Sequence, residues 1–296
     1  MTTLLALLIA VSILAGCSGG VATDVKNAAA APPELMLAAE ELQPAEPVYT
    51  VETEVWEDTI LAEDGTELVH YIFRIPQMFA CYVDGSPIIR AERETEEAAL
   101  ETADTFNQQF STWTDGEGLA ELTKAAQADL TLRRESGFEW EFPYELELST
   151  SIYSTDCMVS VSATYERFTG GAHPNTYLMS WNYDLTGGAF FTAEALAADS
   201  QFFRDAVQEE IIRQTGISTP EEAVAAGYWE DYADIAADWS SYAVSFDEEG
   251  MTVAFSPYEL ACYASGPQIF SLTYGQVEPY LSDHGRTVLS LFCRGR

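Results

Sequence analysis

Three histidines, His70, His173 and His284, are the side chains of this chain best suited to moving a proton or binding a metal near neutral pH. Zinc asks for three or four convergent ligands, and none of the three histidines stands in an H-x-x-H or H-E-x-x-H spacing. Beyond residue 20 no nucleophile elbow of the G-x-S-x-G type occurs, and an S-x-x-K pair, a cysteine paired with histidine, a P-loop and a G-x-G-x-x-G turn are all missing. With 48 acids, a glycosidase-type carboxylate pair can be neither assigned nor dismissed. No catalytic residue, metal or cofactor is therefore expected. His70 falls in a predicted strand and His284, in SDHGR, in a predicted loop.

His173 has the most suggestive setting. It sits in RFTGGAHPNTYLMSWNYD, residues 167–184. Gly170 and Gly171 permit positive φ, and Pro174 pushes His173 toward extended backbone. The result is a defined turn, followed on the next strand by Tyr177. A second stretch, FSPYELACYASGPQIFSLTY (255–274), carries Tyr258 and Tyr263 on turns and Gly266 after them. Tyrosines on turns suit recognition, because they offer area and a hydroxyl at low entropic cost. They suit covering a core edge equally well. Gly170, Gly171, His173, Pro174, Tyr177, Tyr258, Tyr263 and Gly266 are the candidate ligand-binding residues.

The elements that must position them follow from periodicity. VYTVETEVWED (48–58) alternates as a half-buried strand, Asp64-Gly65 turns it, and LVHYIFRIP (68–76) is its hairpin partner ending at Pro76. Helical spacing runs from about Ala91 to Trp113 and again from about Leu119 to Arg134. From Pro143 strands return. Cys157, Val159, Val161, Ala163 and Tyr165 share one face, as do Tyr177, Met179, Trp181, Tyr183 and Leu185 after the turn. Serines, threonines, Asn182 and Asp184 take the opposite face. The two segments make an antiparallel hairpin. A helical region follows from Thr192 to Gly216, Thr219-Pro220-Glu221-Glu222 starts another helix, SYAVSFDEEGMTVAF (241–255) is a hairpin, and IFSLTYG (269–275) is a further strand. A final short helix is expected near residues 275–281. The fold class is α+β, antiparallel sheets with helices packed on one face.

The 296 residues, 47% hydrophobic, suffice for a substantial core. Thirteen Lys and Arg against 48 Asp and Glu leave a net charge of −35. Such a chain repels phosphate backbones, so nucleic acid is not an expected partner, and it attracts cationic proteins in a salt-sensitive way. The N-terminal apolar run, Leu4 to Leu14, is too short for a permanent span and suits a signal-peptide core. Leu14-Ala15-Gly16-Cys17 matches a bacterial lipobox, with Cys17 the lipidation site. Met1-Thr2-Thr3 carries no Lys or Arg, so export relies on the terminal amine or the start lies upstream. The expected organisation is a signal peptide and lipobox (1–17), a flexible Ala-, Pro- and Glu-rich tether (18–47), an N-terminal α+β subdomain (48–140) and a C-terminal α+β domain (141–296). The membrane is met only through the lipid. Cys81, Cys157, Cys262 and Cys293 allow three full pairings, or stand as free thiols.

Residues 165–185 (YERFTGGAHPNTYLMSWNYDL), then a helical stretch, then 246–267 (FDEEGMTVAFSPYELACYASGP), resemble the extracellular domain of the lysozyme-sensing anti-sigma factor RsiV. The same domain family of unknown function includes the N-terminal part of the peptidoglycan deacetylase PdaC. The TGGAH turn falls on Thr169 to His173, and the second signature on Phe255, Pro257, Tyr258, Ala261, Tyr263, Ala264 and Gly266. The resemblance is good over residues 145–280 and loose over 48–135. It implies an extracytoplasmic binding module for lysozyme, another cationic protein or wall glycan. With a lipobox and neither a membrane span nor a cytoplasmic segment expected, the chain is not itself read as an anti-sigma factor, and a deacetylase domain is not seen. Two rival readings stay open: a wall-glycan enzyme, which needs an acid pair converging on His173, and a structural envelope protein without a specific ligand.

Overall fold

Strand β1 (Val48–Leu61) and strand β2 (Glu67–Cys81) form a long antiparallel hairpin closed by Asp64-Gly65, where Gly65 adopts φ +86°. The computed structural model describes residues 46–291 except Asp115 and Ser241. The signal peptide, the lipobox with Cys17, nearly all of the tether and Cys293 lie outside the described residues. Pro76 does not end β2, contrary to the periodicity reading. It lies beyond the last β3 partner of β2, Phe73, so its missing N–H interrupts no bond of that ladder.

Strand β3 (Tyr144–Ser154) pairs with β2 in parallel, Val69 opposite Tyr144 through Phe73 opposite Leu148. Strands β4 (Met158–Phe168), β5 (Asn175–Asp184) and β6 (Ala189–Phe191) continue antiparallel, giving one six-stranded sheet in the order β1-β2-β3-β4-β5-β6. The fold is α+β, as the patterning implied, with β2–β3 the one parallel pair in that sheet. The sheet runs without a break across residue 140, where the sequence suggested a boundary, and the core is shared by residues on both sides of it.

Helices α1 (Glu94–Gln108) and α2 (Glu117–Glu135) cover one face of the sheet. Phe106, Phe110, Ala126 and Leu130 are buried there with Val69, Phe73, Leu148, Val161 and Tyr183. Burying each such aromatic ring stabilises the fold by about 2 to 3 kcal/mol. The start of α1 is fixed by Glu96, 2% exposed, whose carboxylate accepts from Tyr82 Oη (2.6 Å), Arg93 Nε (2.8 Å) and the Glu92 amide (2.7 Å).

A second sheet, β7 (Ala243–Phe246), β8 (Gly250–Phe255) and β9 (Gln268–Thr273), is antiparallel throughout. Helix α3 (Ser200–Thr215) packs on it through Phe203, Val207 and Ile211, which meet Phe246, Val253, Phe255, Phe270 and Leu272. Short helices α4 (Pro220–Ala225), α5 (Tyr232–Ala237), α6 (Tyr274–Val277) and α7 (Asp283–Val288) complete this layer. Thr219 caps α4 as expected, its hydroxyl accepting from the Glu222 amide at 3.2 Å. His284 is not in a loop. It sits in α7, 3.2 Å from the buried Asp184 carboxylate at the end of β5, because Ser282 caps a helix that the glycine in SDHGR obscured. Among the described residues no helix is long and apolar enough to cross a membrane.

The two sheets join through polar side chains. The unpaired edge of β7 approaches the face of β4 and β5 that carries serines and Asn182. Ser180 Oγ accepts from the Val244 amide (2.9 Å), Ser160 Oγ accepts from the Phe246 amide (2.8 Å), and Asn182 Nδ2 donates to the Val244 carbonyl (2.8 Å). Ser160 also donates to Asn182 Oδ1 at 2.8 Å. The Val244 amide and carbonyl and the Phe246 amide, edge groups that β8 does not pair, are thereby satisfied.

Candidate functional site

The β4–β5 turn holds Gly170 at φ +95° and Gly171 at φ +111°, conformations that a side chain would strain. Pro174 then sets His173 so that its Nδ1 lies 2.9 Å from the Pro174 carbonyl oxygen. A carbonyl oxygen can only accept, so Nδ1 is the donor in that contact. The imidazole stacks on the Tyr263 ring at 3.6 Å between centroids and 15° between planes. Tyr258 closes the group, 5.4 Å from Tyr263 and 6.2 Å from His173, its hydroxyl 3.5 Å from His173 Nε2. The Tyr263 hydroxyl donates to the Pro174 carbonyl at 3.4 Å.

The partner loop leaves β8 at Phe255. Ser256 anchors it to the hairpin by accepting from the Leu178 amide at 3.0 Å. Glu259 folds back to accept from the Ser256 amide at 2.5 Å, and its burial raises the pKa of the carboxyl. Tyr258 takes φ +75°, which a non-glycine residue seldom adopts. The surroundings hold it there: the Tyr258 amide donates to the Ala261 carbonyl at 3.1 Å, and Trp229 Nε1 donates to the Tyr258 carbonyl at 3.0 Å. Tyr258 is 54% exposed. Downstream, Gly266 (φ +69°) turns the chain into β9. The Cys262 thiol lies 3.4 Å from Ser265 Oγ, and that hydrogen bond lowers its pKa. Among the described residues Cys81, Cys157 and Cys262 are free thiols.

His173, Pro174, Tyr258 and Tyr263 thus come together, with Gly170, Gly171 and Gly266 shaping the turns. Tyr177 does not join them. Its ring stacks on Tyr165 at 6.1 Å and 24°, on the face that α1 and α2 cover, because Tyr177 shares its strand parity with Met179 and Trp181. His70 is a strand residue, 3.9 Å from Glu57. Trp229 is the aromatic contributor that sequence reasoning missed. It lies between α4 and α5, next to the pairing of Tyr228 with Ala261 that brings this segment to the loop. Among the described residues no three His, Cys, Asp or Glu side chains gather in a way that could hold a metal.

What the fold and these loops define is an α+β domain that displays an aromatic cluster where two distant turns meet. Its fold is shared with a member of the DUF3298 family from Bacteroides fragilis, at a TM-score of 0.60 and 14% identity, covering 85% of this chain and 100% of that one. A DUF3298 family protein from Pseudomonas aeruginosa PAO1 also matches, with a TM-score of 0.43, 14% identity, and coverage of 82% of this chain and 97% of that one. The family model described as Deacetylase PdaC matches residues 94–176. That segment runs from α1 to the first residues of β5 and includes Gly170, Gly171, His173 and Pro174, but not the loop of Tyr258 and Tyr263. It therefore lies further toward the N-terminus than residues 145–280. The comparison with curated proteins finds no match.

Proposed function

We propose that this chain is a non-catalytic recognition module of the bacterial cell envelope, held at the extracytoplasmic face by a lipid on Cys17, that binds a cationic protein such as lysozyme. The observation that carries the reading is the exposed Tyr258, held at φ +75° beside the His173–Tyr263 stack. Backbone strain of this kind persists where the surroundings enforce it, and here it presents an aromatic surface. Interfaces concentrate their energy in such aromatic anchors. His173 has its Nδ1 engaged by a backbone carbonyl and its face by a tyrosine, a setting that suits a staple between two turns better than a general base. The net charge of −35 favours a basic partner, and the RsiV-like extracellular domain that the sequence resembles binds lysozyme.

Calorimetric titration of residues 44–296, one compact unit, with hen lysozyme tests this. The expected result is binding that survives physiological salt and weakens about 30-fold or more, roughly 2 kcal/mol, on Tyr258→Ala or Tyr263→Ala. Binding confined to low salt, or equal binding by the two variants, would mean bulk attraction between opposite charges and would end the proposal.

A further inference from the structure

The lock between the sheets closes only part of their facing surfaces. Beyond it the polar face of β3–β5 and the second sheet diverge, leaving a cleft of about 420 Å³. That volume falls within the range of small-molecule sites. Its floor carries Ser149, Ser151, Ser162 and Thr164, with Ser151 directly opposite Ser162 and Ser149 opposite Thr164 in the β3–β4 register. Its far wall adds Ser245 and Thr252.

Among the described residues, the hydroxyls of Ser151, Ser162, Thr164, Ser245 and Thr252 make no hydrogen bond. Ser160 and Ser180, on the same face, are committed to β7. Two sets of hydroxyls thus differ in what they do: one builds the fold, the other stands free around a concave space. Apolar surface lies between them, above all Ile269, 60% exposed, with Tyr153, Ala243 and Ala254. A ring of hydroxyls around apolar patches complements a ligand with hydroxyls at its edges and C–H groups on its faces.

We propose that this cleft binds a neutral oligosaccharide. The charge pattern favours a neutral ligand over an anion, since Asp247 is the one charged residue lining the cleft and the chain as a whole is strongly acidic. The lock favours a saccharide over a peptide strand. Strand addition needs free main-chain donors and acceptors, and the Val244 and Phe246 amides and the Val244 carbonyl are already engaged. The site is separate from the Tyr258 cluster and does not depend on it.

The test is saturation-transfer NMR and calorimetry of residues 44–296 with three uncharged probes: chitotetraose, cellotetraose and maltotetraose. Saturable binding of at least one, with Kd of about 1 mM or tighter, is expected. Each hydroxyl hydrogen bond is worth a factor of about 2 to 12, so Ser162→Ala with Thr164→Val should weaken that binding roughly tenfold. Thr164→Ser, which keeps the hydroxyl, should retain it, and so should Tyr258→Ala. Circular dichroism and thermal melting establish that each variant is folded. The proposal is overturned if none of the probes saturates, if the double variant binds as the parent does, or if Thr164→Ser loses binding as fully as the double variant. Binding of a neutral tripeptide, blocked trialanine, in place of the sugars would assign the cleft to peptide and overturn it equally.

Discussion

Replacing Asn182 by alanine should cost far more than its place on a polar strand face suggests. Asn182 is 5% exposed and makes two hydrogen bonds, accepting from Ser160 and donating to the Val244 carbonyl. Alanine removes both. The Val244 carbonyl is then buried without its donor, at a cost of about 1 to 3 kcal/mol, and the Ser160 hydroxyl loses its acceptor for about 1 kcal/mol more. With the small void left behind, the sum is about 3 to 4 kcal/mol. For a domain of this length that corresponds to a melting point lower by roughly 10 °C.

Urea unfolding of residues 44–296 measures it, read from the midpoint at an unchanged slope. Two companions make the test specific. In a double-mutant cycle with Ser160→Ala, the coupling should reach about 1 kcal/mol, since the two side chains share one network. Ser162→Ala, two residues along the same face, should stay within about 0.5 kcal/mol, because the Ser162 hydroxyl has no partner among the described residues. A cost below about 1 kcal/mol for Asn182→Ala would refute the lock, given the 1 kcal/mol scale of a single hydrogen bond. Equal effects of Ser160→Ala and Ser162→Ala would refute it as well.

Other consequences are more local. His173→Phe keeps a ring on Tyr263 and should cost under about 1 kcal/mol, whereas His173→Ala forfeits stacking and the Pro174 contact for about 1 to 3 kcal/mol, both read by urea unfolding. Gly250→Ala places a Cβ 2.0 Å from the Leu272 carbonyl oxygen, so β8 and β9 must separate, and a loss of about 3 kcal/mol is expected on denaturation. Acid should unfold the domain between about pH 4.5 and 2. Glu96, Asp64 and Glu210 are all lowered to about 2, chiefly by side-chain hydrogen bonds from Tyr82, Thr66 and Arg213 respectively. Depressed carboxylates stabilise the fold above their ordinary values and lose that contribution as pH falls through the folded ones. Glu96→Gln should flatten the decline in a pH series of melts, and an unchanged slope would show that Glu96 is not a source of it.

What the sequence makes legible is what neighbours along the chain decide. Alternation locates the strands of the β4–β5 hairpin, Gly170-Gly171 its turn, and Thr219-Pro220 a helix start, because each rests on bonds spanning a few residues. The same alternation shows that Ser160, Ser180 and Asn182 share a face, but not what covers it. A serine facing water and a serine capping the edge of a strand some 60 to 90 residues away are identical in a period-two pattern. The parallel β2–β3 pair escapes for a related reason, since Val69 meets Tyr144 across two intervening helices. Parity cuts the other way for Tyr177. Its position two residues before Met179 places it on the helix-covered face, so grouping it with His173 by nearness in sequence set aside information that the alternation already held. The aromatic cluster falls between these cases. Each of its two turns is legible alone, and their meeting is not, because it depends on Ser256 bonding Leu178 and on Trp229 reaching the Tyr258 carbonyl, contacts between segments that no local pattern connects.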